Sequence, residues 1–300
     1  MTTSSKSSFI SFAEELAALV VGGWADTEIF KTTEIISQSK KCSSISFASL
    51  PINISGQPSV IQTSNDEILL CGGFRNKQKC LELKNNQWQE HSTLKNQRTF
   101  ASAVSMPGGI YIFGGDLSIT TWEWLPSGTN QWQSGTTIIP GDRFEMGCAV
   151  KINDKDILLI GGHLTYKQVL KFNTNTKAFT NLGDVLNQER SDHACALYQD
   201  KVIITGGRRS DSSTEIINLN DLTTAYTTGN FVQARYGHGL VVVHVDNKPT
   251  VLAVGGLGNG ILDSIEMWNP TNETWTMTSM KLTEPKSNFG ILSLPTHLLC

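Results

Sequence analysis

Short apolar and β-branched runs, each closed by a pair of glycines, recur six times along this chain. They read LVVGG at 19–23, LLCGG at 69–73, YIFGG at 111–115, LLIGG at 158–162, IITGG at 203–207 and LAVGG at 252–256. From first glycine to first glycine the steps are 50, 42, 47, 45 and 49 residues. A near-constant period of this length marks a repeat architecture, whose units cannot bury their apolar faces alone and need neighbours to cover them.

The flanking segments repeat as well. Upstream stands a basic residue followed by small and apolar ones: Arg98-Thr-Phe-Ala-Ser-Ala-Val, Arg143-Phe-Glu-Met-Gly-Cys-Ala-Val, Arg190-Ser-Asp-His-Ala-Cys-Ala-Leu and Arg235-Tyr-Gly-His-Gly-Leu-Val. Turn formers such as Met106-Pro-Gly-Gly and Asn153-Asp-Lys-Asp separate that segment from the glycine run. Downstream comes a short segment centred on Glu82, Glu123, Glu215 or Glu266, with an echo at Thr33-Glu-Ile-Ile, and then a polar turn with an aromatic such as Trp88, Trp132, Phe179 or Trp275. Four strand signals and four turn signals per unit predict an all-β fold. Six such units predict a six-bladed β-propeller of four antiparallel strands per blade, which leaves only short edges.

This pattern resembles the kelch repeat over nearly the whole chain. The matching elements are the apolar run with Gly-Gly, the upstream Arg-x-x-His or its relaxed form, and the downstream aromatic. Copy one matches least, having no tryptophan near Cys42-Ser-Ser-Ile-Ser-Phe. No Trp-Asp dipeptide, the mark of WD40 blades, occurs. The resemblance implies one propeller domain over 1–300, with blades at 1–57 plus a closing strand 286–296, then 58–96, 97–141, 142–188, 189–233 and 234–285. Lys6-Ser-Ser-Phe9 competes with Lys286-Ser-Asn-Phe289 as the innermost strand of blade one, and kelch propellers similar to this one favour the C-terminal choice.

The repeat leaves no room for a second domain. A net charge of −3 gives no whole-molecule attraction to nucleic acid or anionic membrane. No apolar stretch is long enough to span a bilayer, and the polar start, with Glu14-Glu15 interrupting the apolar residues that follow, reads as a poor signal peptide, which leaves secretion open. Cys148 and Cys195 each follow a repeat arginine by five residues, and Cys71 precedes a glycine pair. Those are core slots that free cysteine fills well. No metal-ligand spacing is present, so no cofactor is expected. A reduced, cytoplasmic setting and a monomer are the resulting expectations.

The candidate chemistry lies in loops. Arg98, Arg143, Arg190, Arg235 and Lys286 occupy what reads as one repeat position before the innermost strand, hence one ring around the axis. Loops after the glycine pairs add Arg75, Arg208, Arg209, His163 and Trp24 on the same face. Together they form a candidate partner-binding site, a basic collar whose forked guanidinium groups suit carboxylates. Kelch adaptor domains similar to this one hold acidic peptides through arginines at this position. A competing expectation is that these arginines bond neighbouring carbonyls within the fold. His193 and His238 are expected to be satisfied inner-strand residues. The repeat glutamates are expected to be structural or solvated, and Trp122 or Trp124 to reach an exposed side patch. The overall expectation is a protein-interaction module for an acidic segment. The alternative is a propeller enzyme or lectin-like binder for an acidic sugar, which similar kelch-like oxidases and mutarotases bring into view.

Overall fold

The computed structural model describes residues 16–295, apart from 27, 38–46, 64–66, 117, 142, 210 and 247. It is all-β, a six-bladed propeller with antiparallel blades. Blade two runs Ser59–Gln62, Ile68–Cys71, Lys79–Lys84 and Gln87–Thr93, from the axis outward. Blades three to six repeat the order with inner strands Ser102–Met106, Cys148–Lys151, Ala194–Tyr198 and Gly239–Val245. Blade one is closed by the C-terminal strand Gly290–Pro295, which pairs with Leu16–Val21, itself paired with Thr33–Ile36. The segment around Lys6 and the one around Cys42 lie outside the described residues.

The inner strands touch in cyclic order, each meeting the next and blade six meeting blade one. Between every two neighbouring blades lies one apolar core, six in all. The second strand of each blade feeds two of them, because successive side chains point to opposite sheet faces. Thus Ile110 and Ile112 face blade two while Tyr111 and Phe113 face blade four. In the same way Ala18 and Val20 face blade six while Leu19 and Val21 face blade two. That double burial is why these runs are uniformly apolar rather than alternating. Trp88, Trp132 and Trp275 bridge blades, donating to Thr33, Ser92 and Thr214 of the preceding blade.

The glycine pairs are required by close approach. Gly114 has φ +58, and a Cβ there would lie 1.7 Å from the carbonyl oxygen of Phe144 in the next blade. At Gly206 the corresponding distance to the Arg235 oxygen is 2.3 Å. No L side chain fits such a space, and φ in this range favours glycine anyway.

The cysteines depart from expectation. Cys71–Cys80 joins the second and third strands of blade two, and Cys148–Cys195 joins the inner strands of blades four and five. A core slot on one strand can face a like slot on the next, and sequence position alone does not show that. The disulfides remove the ground for a reduced, cytoplasmic setting. Among the described residues no helix is long and apolar enough to cross a membrane.

Candidate functional site

The second glycine of each pair fixes the true repeat register. Its N–H donates to one carbonyl in the following blade: Gly23 to Ile54, Gly73 to Arg98, Gly115 to Phe144, Gly162 to Arg190, Gly207 to Arg235 and Gly256 to Lys286. These six residues are equivalent. Arg143 is not among them. It stands one position early, and Phe144 fills its place.

This register corrects the basic collar. Arg98, Arg190, Arg235 and Lys286 are fully buried inside their blades and cannot line a mouth. Arg190 Nε and Nη2 donate to Glu215 Oε1 at 3.0 and 2.9 Å, and Nη1 donates to the Gly206 carbonyl at 2.8 Å. Arg98 pairs likewise with Glu123 and Gly114, and Arg235 reaches Glu266 through Nη2 and the Gly255 carbonyl through Nη1, its Nε making no hydrogen bond among the described residues. Lys286 Nζ pairs with Glu34 at 2.7 Å. Burial pulls the three guanidinium pKa values down, and each glutamate opposes that shift. The physical reason for burial is saturation: the fork finds a carboxylate and carbonyls close at hand, so desolvation is offset.

Each glutamate also clamps the crossover that enters its blade. Glu123 accepts from the N–H groups of Lys95 and Asn96, Glu215 from Asn187 and Gln188, and Glu266 from Val232 and Gln233. Glu34 accepts from Thr283 N–H. Two blades lack the device, and they lack it whole. Blade two has Ile54 with Leu81, in one core cluster, and blade four has Phe144 with Leu170, in another. Glu82 is one residue out of register with the other glutamates and is not part of the set. In blade two the first crossover donor position is Pro51, which has no N–H to give.

The mouth on this face is built from backbone. Phe100 N–H donates to the Gly56 carbonyl, Met146 to Phe100, Asp192 to Met146, Gly237 to Asp192, Asn288 to Gly237 and Gln57 to Asn288, at 2.7–3.1 Å. The six bonds close a ring around the axis. Every residue of the ring has φ between 46° and 72°. Below it a cavity of about 180 Å³ is lined by inner-strand residues including Ser59, Ser102, Cys148, Cys195 and Leu240.

The remaining collar residues do reach this face, each with its own partner. Arg143 Nη2 lies 2.7 Å from Glu145, and His163 Nδ1 lies 3.1 Å from the same oxygen. Arg208 Nε donates to buried Asp192 at 3.0 Å, and its guanidinium lies over Tyr236. Burial raises the Asp192 pKa, and Arg208 works against that. Asn288, with its amide turned to fit, donates to Asp192 and accepts from the indole N–H of Trp24. Arg209 stacks on Tyr166 and pairs with Glu189. Arg75 is exposed, with φ 72, and forms no ion pair among the described residues. The mouth therefore presents compensated charge rather than a basic field.

What the sequence reasoning missed is apolar. Among the described residues the exposed large hydrophobics are Ile52, Phe74, Ile138, Leu164, Val232 and Met277. The first five all sit on crossovers or post-glycine loops of this one face, and Met277 lies on the outer strand Thr274–Lys281. Trp122 is buried, whereas Trp124 is half-buried and carries the Lys177 ammonium 4.1 Å from its ring centre.

His193 and His238 are buried beside the axis. Burial first, and then the nearby Arg190 charge, lower the His193 pKa to about 3, with a hydrogen bond to the Ile160 backbone opposing them. His238 is also held well below its ordinary value by burial and Arg235, and its Nε2 lies 2.9 Å from Thr205 Oγ1. Both are neutral in the fold, and among the described residues no group of three potential metal donors converges. A histidine with a depressed folded pKa stabilises fully above about pH 6.5. That stability falls by about 1.4 kcal/mol per pH unit for each histidine as pH drops below 6.5 toward the folded pKa. His193→Ala, which copies Ala101 at the equivalent position of blade three, is expected to halve this slope in urea midpoints measured between pH 6.5 and 4. An unchanged slope would mean that His193 is not the titrating group.

No protein-family model matches this sequence. A comparison with curated proteins finds similarity to the spermatocyte protein spe-26 of Caenorhabditis elegans, 23 % identical, over 77 % of this chain and 43 % of that protein. The chain thus spans less than half the length of that relative.

Proposed function

We propose that this chain is a kelch-type interaction propeller, a monomer that holds a protein partner on the face around the backbone ring. The observation that carries this reading is the placement of five exposed large hydrophobics on the loops of one face. Exposed apolar side chains gathered on one surface mark interaction sites. Tyr166 stacked with Arg209, and Tyr236 with Arg208, supply the residue types enriched at binding hot spots. The rigid ring beneath keeps the loops in place without a partner, which lowers the ordering cost of binding. Because the mouth cations already hold carboxylates, apolar anchoring supplies the affinity and Arg143, Arg208 and Arg209 set orientation.

Phe74→Asp/Leu164→Asp is expected to abolish co-purification of the partner retained by the native chain. Met277→Asp, on the outer strand, should leave it intact. Equal retention by all three proteins would refute the face assignment.

A further inference from the structure

A groove opens beside the entering crossover of each of the two blades without the glutamate clamp. In blade four the groove is polar and lies along Gly141, Leu164 and Gln168. In blade two it is larger, about 550 Å³, and its floor is Leu81 and Trp88 with the unclamped Pro51–Ile52 crossover as one wall. The same replacement that removed the ion pair made this floor apolar. With Leu81 in place of a carboxylate and Pro51 in place of a donor, no blade-two carboxylate holds the crossover among the described residues, and its polar ties run to blade one, from Lys31 Nζ to the Pro51 carbonyl and from Asn53 to the Ile29 carbonyl.

The rim is predominantly basic. Arg75, Lys77 and Lys79 border the groove, against a single acid, Glu90, which pairs with Lys79. Arg75 has no ion pair among the described residues, and the Lys77 ammonium rests 5.9 Å from the Phe74 ring centre. Elsewhere on this face each arginine is matched by a carboxylate. Here two cations are not, beside the half-exposed Ile52 and an apolar floor. A low-dielectric floor beside unmatched cations strengthens their pull on an incoming anion.

We propose that the groove between blades one and two docks an acidic peptide segment that inserts one bulky apolar side chain against Leu81 and Trp88. Its carboxylates meet Arg75 and Lys77, and the proline-stiffened crossover holds the wall. This site shares Ile52 with the face around the ring mouth, but it does not rest on the reading given for that face. The segment 38–46 of the chain itself is a poor occupant by charge, because it carries Lys40 and Lys41 and no acidic residue.

The test is fluorescence anisotropy of the full chain with a labelled acidic heptapeptide bearing one central phenylalanine. Controls are its amide (Gln/Asn) analogue and its phenylalanine-to-serine analogue. Saturable binding is expected that weakens at least tenfold with either control, with Arg75→Glu/Lys77→Glu and with Ile52→Asp, and that declines with salt. Lys248→Glu, on an exposed hairpin of the opposite face, should change nothing. Absence of saturable binding, equal binding of the amide analogue, or loss in Lys248→Glu with the groove variants unaffected would each overturn the proposal. Zero-length cross-links from Lys40 or Lys41 to Glu90 would give the groove to the chain itself. A dimer in light scattering that Arg75→Glu/Lys77→Glu dissolves would give it to a second copy. Either result overturns a peptide partner.

Discussion

Arg190→Ile alone is expected to destabilise the propeller by about 3–5 kcal/mol, because it strands the Glu215 carboxylate in a fully buried site. Glu215→Leu alone should cost a similar amount, leaving the guanidinium without its anion and two crossover N–H groups without an acceptor. The double variant should cost much less than the sum. It installs the Ile54/Leu81 pair that blade two already carries in the same backbone setting. Replacing a buried ion pair by packed apolar side chains is often close to neutral, whereas removing one partner is not. The residual cost should come from the N–H groups of Asn187 and Gln188, so adding Asn187→Pro, the Pro51 equivalent, should recover part of it. Urea unfolding of the four proteins gives the coupling directly. Additive costs would mean that the pair is not the unit the repeat exchanges.

The same comparison shows why the fold was legible in the sequence and the site only partly so. The apolar runs report the second strands faithfully, because double burial between two blades keeps them apolar; the polar exception, buried Thr205, has its hydroxyl bonded to His238. The glycine pairs report the close approach at Phe144 and Arg235 carbonyls, which no other residue allows. Both signals are local. The collar failed because conspicuous residues served as the alignment anchor. Counting back from the inner-strand pairs Ala103-Val104 and Ala149-Val150 puts Phe144, not Arg143, opposite Arg98. The glutamates held the other half of the answer. A basic residue before the inner strand and a glutamate on the third strand, present or absent together in one blade, signal a buried pair. The apolar loop residues gave no signal at all, since a single leucine or phenylalanine in a loop is ordinary, and only their gathering on one face means something.

The exchange also says something about how a propeller can vary without losing its ring. Backbone alone makes the six-bond annulus and the glycine-to-carbonyl contacts, so these survive any choice of side chain at the paired slots. The side chains then decide how firmly each crossover is tied down. Four blades are tied by carboxylates. Two are left apolar, and a groove borders the entering crossover of each. Specialised surface thus arises by deleting a polar device, at little cost to the core.

Removal of the Cys148–Cys195 disulfide is expected to cost about 4 kcal/mol, and removal of Cys71–Cys80 about 3 kcal/mol. These values follow the chain-entropy relation for loops closed by the two bonds, with sequence separations of 47 and 9. The position of the first bond matters as much as its loop. Cys148 and Cys195 join adjacent blades two and three residues beyond Met146 and Asp192, both members of the backbone ring, and both cysteines border the axial cavity. Cys71 and Cys80 are almost wholly buried within a single blade. Paired alanine variants and thermal unfolding with and without a small thiol measure both effects. The Cys148→Ala/Cys195→Ala protein should lose more stability than Cys71→Ala/Cys80→Ala, and mild reduction should open the channel-side bond first. Simultaneous reduction of both bonds, or a larger loss from the blade-two pair, would show that the contacts between blades four and five hold without a covalent tie.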